Sequence, residues 1–227
     1  MQLLNTPVGL NSIEDFILKN IPENAECGVI VHAGDGRLGK SIQERFSKKI
    51  KVYNVEEHEK LYKSLPGSEK SRDIWNVEWY QKLSEENKGI DFICFINIHE
   101  YWDGNLYELQ SILNCLKPEG VGFISFYNKN SMYAMRQALP PFANGYEQLA
   151  NPMNIWAKVD LLSWIIYLLD IGLIVDNIWG MLEEKGFNYC KEGLKGEVTW
   201  QYNNLSLKVK DASEAFIYSA PVLCMRF

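Results

Sequence analysis

The sequence predicts an α/β fold with a mainly parallel sheet. Two short runs, 27–32 and 91–97, are almost continuously apolar, which is typical of strands buried on both faces. Segments with apolar residues at helical spacing lie between such strands, most clearly 106–116. Strands that alternate with helices at this distance favour parallel pairing with helices on both faces of the sheet.

The individual elements follow from local signals. The first strand ends at His32, where a glycine cluster begins, and Ile42 and Phe46, four residues apart, indicate a helix over 40–49. Pro66-Gly67 stops a further helix, and Asp160 is a plausible N-cap for another. The remaining predicted elements are strand 50–55, helix 56–65, helix 75–83, turn 117–120, strand 121–126, helix 160–169, strand 173–178, a hairpin of 198–202 with 205–209, and a closing strand over 216–227.

The stretch after Tyr127 breaks this pattern. It contains Pro140-Pro141 and Asn151-Pro152 together with several aromatic side chains, and long irregular connections that stay ordered are often lids over a site. We therefore expect one domain over 1–227, with a lid or insert at about 128–158 and a hairpin at about 197–210. The aromatic residues of this stretch that could line a substrate pocket beneath the lid are Tyr133, Phe142, Tyr146 and Trp156.

Composition restricts the partners. The net charge of −6 disfavours nucleic acid, because an acidic chain does not gain from counterion release. The five cysteines have no C-x-x-C spacing and indicate reduced thiols in a cytoplasmic protein, and the three scattered histidines predict no metal site. The most apolar run, 161–179, is broken by Asp170, Gly172 and Asp176, so no membrane span is expected.

A glycine loop carries the strongest functional signal. Gly34-Asp35-Gly36-Arg37-Leu38-Gly39 joins the first strand to the first helix of the alternating pattern, where glycines permit tight turns and a close approach of a ligand to the backbone. Glu56 ends the next strand, at the distance from which an acid can accept hydrogen bonds from both hydroxyls of a ribose. Dinucleotide cofactors and S-adenosylmethionine (SAM) both fit this pattern.

Further segments resemble class I SAM-dependent methyltransferases. The run Leu116-Lys-Pro-Glu-Gly120 is similar to the L-K-P-G-G turn of that family, and 91–102 resembles its fourth strand and the segment after it. The segment 161–175 resembles the family's later helix and sixth strand, and the closing strand resembles its antiparallel seventh. The resemblance covers about 26–227 and implies a three-layer Rossmann-like methyltransferase sheet, mostly parallel with an antiparallel C-terminal strand.

The first glycine motif departs from the family pattern of acid-x-Gly-x-Gly-x-Gly. Ile30 stands at the acid position and His32 at the first glycine. The family acid usually orients the loop and the amino group of the cofactor, which Ile30 cannot do, and His32 places a ring where the cofactor normally passes. Asp35 could replace the acid as a partner of the ammonium group.

The resemblance assigns candidate roles. The expected SAM-binding residues are Ala33, Gly34, Asp35, Gly36, Glu56 and Asn97. The expected catalytic residues are His99, as a base, and Tyr127, both close to the ends of their strands. Trp75 falls where the family usually holds the adenine.

Three functions stay open at this point. The leading hypothesis is a SAM-dependent methyltransferase for a small-molecule acceptor, either as single chains or as a homo-oligomer. The departures at Ile30 and His32 motivate a catalytically inactive, methyltransferase-like binding or assembly protein instead. The literal G-x-G-x-x-G with Glu56 supports an NAD(P)-dependent oxidoreductase.

Overall fold

The computed structural model describes most of the chain in two compact units. One unit is Glu14–Ile124, and the other combines Met1–Ile13 with Ser125–Phe227. The described residues are 7–46, 49–65, 70–98, 101–102, 104–128, 161–182, 185–190, 198–202, 205–209 and 222–227, with side chains left out at 7–12, 181–182, 185–190, 198–202 and 205–209. The predicted lid therefore lies outside the described residues, as does His99.

The unit Glu14–Ile124 contains a parallel five-stranded sheet made of β1 (Cys27–Val31), β2 (Lys51–Val55), β3 (Lys70–Ser71), β4 (Ile90–Phe95) and β5 (Leu116–Tyr127), in the spatial order β3-β2-β1-β4-β5. The order along the chain reverses between β1 and β4, so these two neighbours form a topological switch point. The described helices before β5 are, in chain order, α1 (Pro7–Asn20), α2 (Arg37–Arg45), α3 (Glu59–Ser64), α4 (Val77–Asn87) and α5 (Leu106–Leu113). Residues of α1 and β5 also belong to the other unit.

The central strands β1 and β4 are buried along their whole length. Gly28 pairs with Phe92, and the Phe92 ring fills the space beside it so closely that a β-carbon on Gly28 would lie 1.9 Å from Cζ of the ring. Phe16 of α1 contacts Phe123 of β5 edge-on at 6.2 Å between ring centroids. This apolar packing fixes β1 and β4 side by side, and the segments that follow them start from a rigid base.

The other unit holds the C-terminal strands. In this unit β10 (Val222–Arg226) pairs antiparallel with β6 (Asn177–Leu182). With β7 (Lys185–Cys190) at the edge, the strand order is β5-β10-β6-β7. The edge strand β7 (Lys185–Cys190) is also antiparallel to β6, and β8 (Val198–Tyr202) forms a separate antiparallel pair with β9 (Leu205–Val209). Helix α6 (Leu161–Asp170) buries Trp164, whose ring lies 6.3 Å from that of Phe126.

The predicted fold class is confirmed, with corrections at particular elements. The mostly parallel sheet is present, and its closing strand lies antiparallel between β5 and β6 as expected. The prediction of a turn at 117–120 was wrong, because β5 begins at Leu116 and these residues form an irregularity between the pairs Ile90–Leu116 and Phe92–Val121. The strand expected at 173–178 begins at Asn177.

Three elements among the described residues were not predicted. Helix α1 buries Ile13, Phe16 and Ile17, a helical spacing that the sequence already displays. The two-residue strand β3 is too short to give a pattern, and β7 was also missed. Within the described ranges, no helix has the length and apolar character needed to cross a membrane.

Candidate functional site

The glycine loop turns sharply between β1 and α2. Ala33 donates its N–H to the Val55 carbonyl at 3.1 Å, and Gly36 donates to the Ala33 carbonyl at 3.0 Å. Gly34 and Gly36 have φ of 59° and 78°, and a β-carbon on Gly34 would meet no atom within 4 Å. Gly34 is therefore needed for its backbone conformation rather than for space.

The carboxylate of Glu56 holds this loop. It is fully buried directly after β2, and Oε2 accepts the N–H of Gly34 at 2.7 Å while Oε1 accepts the N–H of His58 at 2.9 Å. Glu56 donates its own N–H to the Ser71 carbonyl at 3.0 Å. One buried acid thus fixes the glycine loop and the segment after β2 at the carboxyl ends of adjacent strands.

Asp35 bonds to Arg37 rather than to Glu56. Its carboxylate is exposed, accepts the N–H of Arg37 at 3.1 Å and pairs with the Arg37 guanidinium at 2.9 Å. Partial burial would raise the pKa of Asp35, but the hydrogen bonds and the charge of Arg37 outweigh it and leave the pKa below its ordinary value. The Asp35 side chain is therefore bonded to Arg37, the first residue of α2.

The residue at the first glycine position has the backbone conformation that favours glycine. His32 has φ of 59°, in the left-handed region that costs a residue with a β-carbon about 1–2 kcal/mol. Its Nδ1 lies 3.2 Å from the Ile96 carbonyl oxygen. Asn97 also has a positive φ, 51°, which asparagine tolerates better than most residues. Ile30, at the acid position, is buried beneath Gly39 of α2.

Aromatic rings cluster beside His32. The His32 ring contacts Tyr101 edge-on at 5.2 Å, and Tyr101 lies 6.0 Å from Trp75. Trp75 also contacts Trp102 at 5.6 Å and stacks on Phe95 at 6.4 Å. We call His32, Trp75, Phe95, Tyr101 and Trp102 the aromatic cluster; Trp75 and Tyr101 are only half-buried, so the cluster has an accessible side.

Local contacts position Trp75 in the cluster. The Tyr80 hydroxyl, buried in α4, donates to the Ile74 carbonyl at 3.0 Å, and burial raises the pKa of Tyr80 so that it stays protonated. Trp75 donates its backbone N–H to the Asp73 carboxylate at 3.0 Å. Asn76 caps α4, because its side-chain oxygen accepts the backbone N–H of Trp79. The predicted candidate Trp75 is therefore held at one place.

The predicted residues are only partly brought together. Ala33, Gly34, Gly36 and Glu56 form one hydrogen-bonded group, whereas the Asp35 side chain bonds to Arg37. Tyr127, in the other unit, is buried with 3% of its surface exposed. Sequence reasoning missed Tyr101 and Trp102, although an aromatic pair six residues after a buried strand was a visible signal. In the described ranges, no group of three or more His, Cys, Asp or Glu residues could hold a metal ion.

Comparisons with known proteins identify the fold. No protein-family model matches this sequence, and no curated protein does. A SAM-dependent methyltransferase from Archaeoglobus fulgidus is similar over 98% of this chain and 94% of its own, with a TM-score of 0.62 and 16% identity. A SAM-dependent methyltransferase from Thermotoga maritima, described as a possible histamine N-methyltransferase, matches over 95% and 87%, with a TM-score of 0.56 and 12% identity.

A third structure contains a ligand. The plantazolicin methyltransferase BpumL in complex with S-adenosylhomocysteine (SAH) matches 72% of this chain and 63% of its own, with a TM-score of 0.53 and 14% identity. Identities this low establish the fold alone. The chain has the Rossmann-like fold of the class I SAM-dependent methyltransferases.

Proposed function

We propose that this protein is a SAM-dependent methyltransferase that acts on a small-molecule acceptor. The observation that carries the proposal is the Glu56 carboxylate, buried at the carboxyl end of β2 and bonded to the glycine loop. In open α/β sheets, ligands bind beyond the carboxyl ends of the strands at the switch point, and Glu56 lies next to that point.

The chemistry of Glu56 suits a ribose. A carboxylate offers about four acceptor positions, and the N–H groups of Gly34 and His58 use two of them. In the described part of the chain Glu56 forms no ion pair, so further hydrogen bonds from ligand hydroxyls would offset the cost of burying a polar side chain. Glu56 is fully covered, and we expect ligand binding to move the residues over it.

The remaining cofactor contacts follow from the same edge of the sheet. The N–H groups at the start of α2 and the loop backbone at Ala33 to Gly36 would hold the methionine end, and the aromatic cluster offers Trp75 to a planar adenine. SAM, when bound, supplies an electrophilic methyl group for an in-line displacement. The protein's own part in this scheme is to align the reactants and to exclude water.

The acceptor class is the finer part of the proposal. The T. maritima neighbour is described as a possible histamine N-methyltransferase, which makes small amines the first acceptors to screen. The acidic balance of the chain argues against polyanionic substrates. His99 and Tyr127 stay predictions as a base and an acceptor contact, and a cytoplasmic location stays a prediction as well.

Calorimetric titration with SAM, SAH and NADH tests the proposal. We expect SAM and SAH to bind and NADH not to bind. Glu56→Gln should weaken SAM and SAH by about 1–3 kcal/mol, the scale of hydrogen bonds to a charged group. Asp91→Asn is the matched control, because it makes the same change in a buried carboxylate at the amino ends of the strands and should leave affinity unchanged.

The other outcomes separate the rival functions. Binding of NADH alone would favour the oxidoreductase, and absence of SAM and SAH binding at millimolar concentration would favour a non-catalytic protein of this fold. Binding of SAM without SAH release in any acceptor screen would restrict the protein to a binding role. Equal affinity of wild type and Glu56→Gln would mean that the ribose is held elsewhere.

A further inference from the structure

A cavity lies at the amino ends of β1 and β2, at the opposite edge of the sheet from the glycine loop. Its volume of about 610 Å³ is within the range of about 300–1,000 Å³ that is usual for small-molecule sites. The loop before β1, the start of β2 and the carboxyl ends of α2 and α4 form its wall, all within the unit Glu14–Ile124. The residues that line it are distinct from the glycine loop and from the aromatic cluster.

The lining has an apolar part that the backbone holds in place. Ala25 and Cys27 are 8% and 1% exposed, and the half-buried Phe46 adds an aromatic ring. The Asp91 carboxylate accepts the N–H groups of Glu26 and Cys27, both at 2.9 Å. A wall that is fixed in this way loses little conformational freedom when a ligand binds.

Three lysines line the same cavity and lack a charged partner. Lys49, Lys51 and Lys88 are exposed, and within the described residues none of them forms an ion pair. Lys51 donates from Nζ to Oδ1 of Asn87 at 3.5 Å, which joins the start of β2 to the end of α4. Lys88 has a φ of 59°, so the chain keeps a lysine at a position where glycine would end α4 without strain.

Most acids of the lining are already paired with other cations. Glu23 forms an ion pair with Arg45 at 3.2 Å, and Glu86 forms one with Lys82 at 3.9 Å. Glu26 is then the lining carboxylate that forms no ion pair within the described residues, against the three lysines. The cavity therefore has a surplus of positive charge, although the chain as a whole has a net charge of −6.

We propose that this cavity is a second ligand-binding site and that it takes an organic acid, a carboxylate on an apolar or aromatic body. Lys49, Lys51 and Lys88 would hold the carboxylate through charge-assisted hydrogen bonds, and the apolar part of the lining would contact the body of the ligand. The inference goes beyond the proposed function, because the SAM site lies at the other edge of the sheet.

An amide chemical-shift titration of the full chain tests the inference. The probes are benzoate and benzyl alcohol, a neutral compound of similar size. We expect benzoate to shift the amides of Cys27, Lys51 and Lys88 and to leave those of Gly34 and Gly36 in place. Benzyl alcohol should bind at least about tenfold more weakly, the scale of one hydrogen bond to a charged group.

Replacing the three lysines together by glutamine tests their role. The variant Lys49→Gln/Lys51→Gln/Lys88→Gln should weaken benzoate by roughly thirtyfold, which is about threefold for each exposed ion pair that is lost. The matched control makes the same charge change at three exposed lysines outside the lining, and it should alter benzoate affinity by less than about twofold. These control substitutions are Lys40→Gln, Lys60→Gln and Lys63→Gln.

Four results would overturn the inference. One is the absence of benzoate shifts at the lining residues at high millimolar concentration, and another is equal binding of benzoate and benzyl alcohol. An equal loss in the control variant would mean that net charge, and not the cavity, attracts the anion. Lower stability of the cavity variant with unchanged benzoate affinity would mean that the lysines only complement the carboxyl ends of α2 and α4.

The two proposals can fail separately. SAH binding is read at the amides of Gly34 and Gly36, and benzoate binding at those of Cys27 and Lys51. If benzoate binds at the cavity and neither SAM nor SAH binds, the proposed function fails and this inference stands. If SAH binds and benzoate does not, this inference fails and the proposed function stands.

Discussion

Two buried carboxylates lie at opposite ends of the same parallel sheet and are held differently. At the amino ends, Asp91 accepts the N–H groups of Glu26 and Cys27 with Oδ2, and its Oδ1 pairs with Lys117 at 2.7 Å. At the carboxyl ends, Glu56 accepts the N–H groups of Gly34 and His58. Asp91 forms an ion pair with Lys117, whereas Glu56 forms no ion pair within the described residues.

The difference separates structure from function at the two edges. Asp91 and Lys117 balance each other's charge and join the starts of β1, β4 and β5, which is a complete structural arrangement. Glu56 is buried and held by two backbone N–H groups, and it retains acceptor capacity at the edge where ligands of this architecture bind. The account therefore predicts that equivalent substitutions at the two positions have different consequences.

Asp91→Asn should have the largest effect on stability. The new amide group would place N–H donors against the Lys117 ammonium, and the unfolding free energy should fall by about 2–3 kcal/mol. Denaturant unfolding followed by circular dichroism measures this change. SAH affinity of the folded protein should be unaltered, and a loss similar to that of Glu56→Gln would remove the distinction between the two edges.

Glu56→Gln should have the smaller effect on stability and the larger effect on binding. Gly34 and His58 bond to different oxygens, so one of these N–H groups must face the amide nitrogen, and we expect a loss of about 1–2 kcal/mol in unfolding free energy. Hydrogen exchange at Gly34 and His58 should become faster in the absence of ligand. Unchanged exchange at both amides would argue against the role of Glu56 in fixing the loop.

Lys88→Gly should stabilise the protein by about 0.5–1 kcal/mol. Lys88 is exposed and has a left-handed backbone conformation, which glycine adopts without the strain that a β-carbon causes. The same unfolding experiment measures it. Lower stability would show that the Lys88 side chain makes a stabilising contact that outweighs the backbone strain.

Arg37→Ala should have the smallest effect. Because Arg37 holds the pKa of Asp35 below its ordinary value, the ion pair adds stability above the unfolded-state pKa, near 3.8, and loses it as the pH falls through the lower folded-state pKa. The variant should raise the pKa of Asp35 in a carboxylate NMR titration and leave the unfolding free energy at neutral pH nearly unchanged, since the pair is exposed. An unchanged Asp35 pKa would contradict the assigned cause.

The sequence predicts the central sheet better than the site. Buried runs such as 91–95 predict their strands because continuous apolar residues have few other places in a globular protein. The spacing predicts the glycine loop and Glu56 at the ends of successive strands, whereas the hydrogen bond that joins them through Gly34 was not predicted. The irregular start of β5 was missed, because 117–120 contains proline and glycine and reads locally as a turn.

The parts of the site that the sequence does not predict depend on contacts between residues that are distant along the chain. The hydrogen bond between His32 and Ile96 joins residues 64 positions apart, and the left-handed conformation of His32 is not readable from a residue type that rarely adopts it. The role expected of Asp35 stays a prediction, because its bond to Arg37 is a local contact that competes with a ligand.

A crystal structure of the complex with SAH tests the central claim most directly. The account predicts both ribose hydroxyls within hydrogen-bond distance of the Glu56 carboxylate, with the methionine end beside the glycine loop and the adenine on Trp75. SAH bound at another edge of the sheet, or bound at the switch point with its ribose away from Glu56, would contradict it.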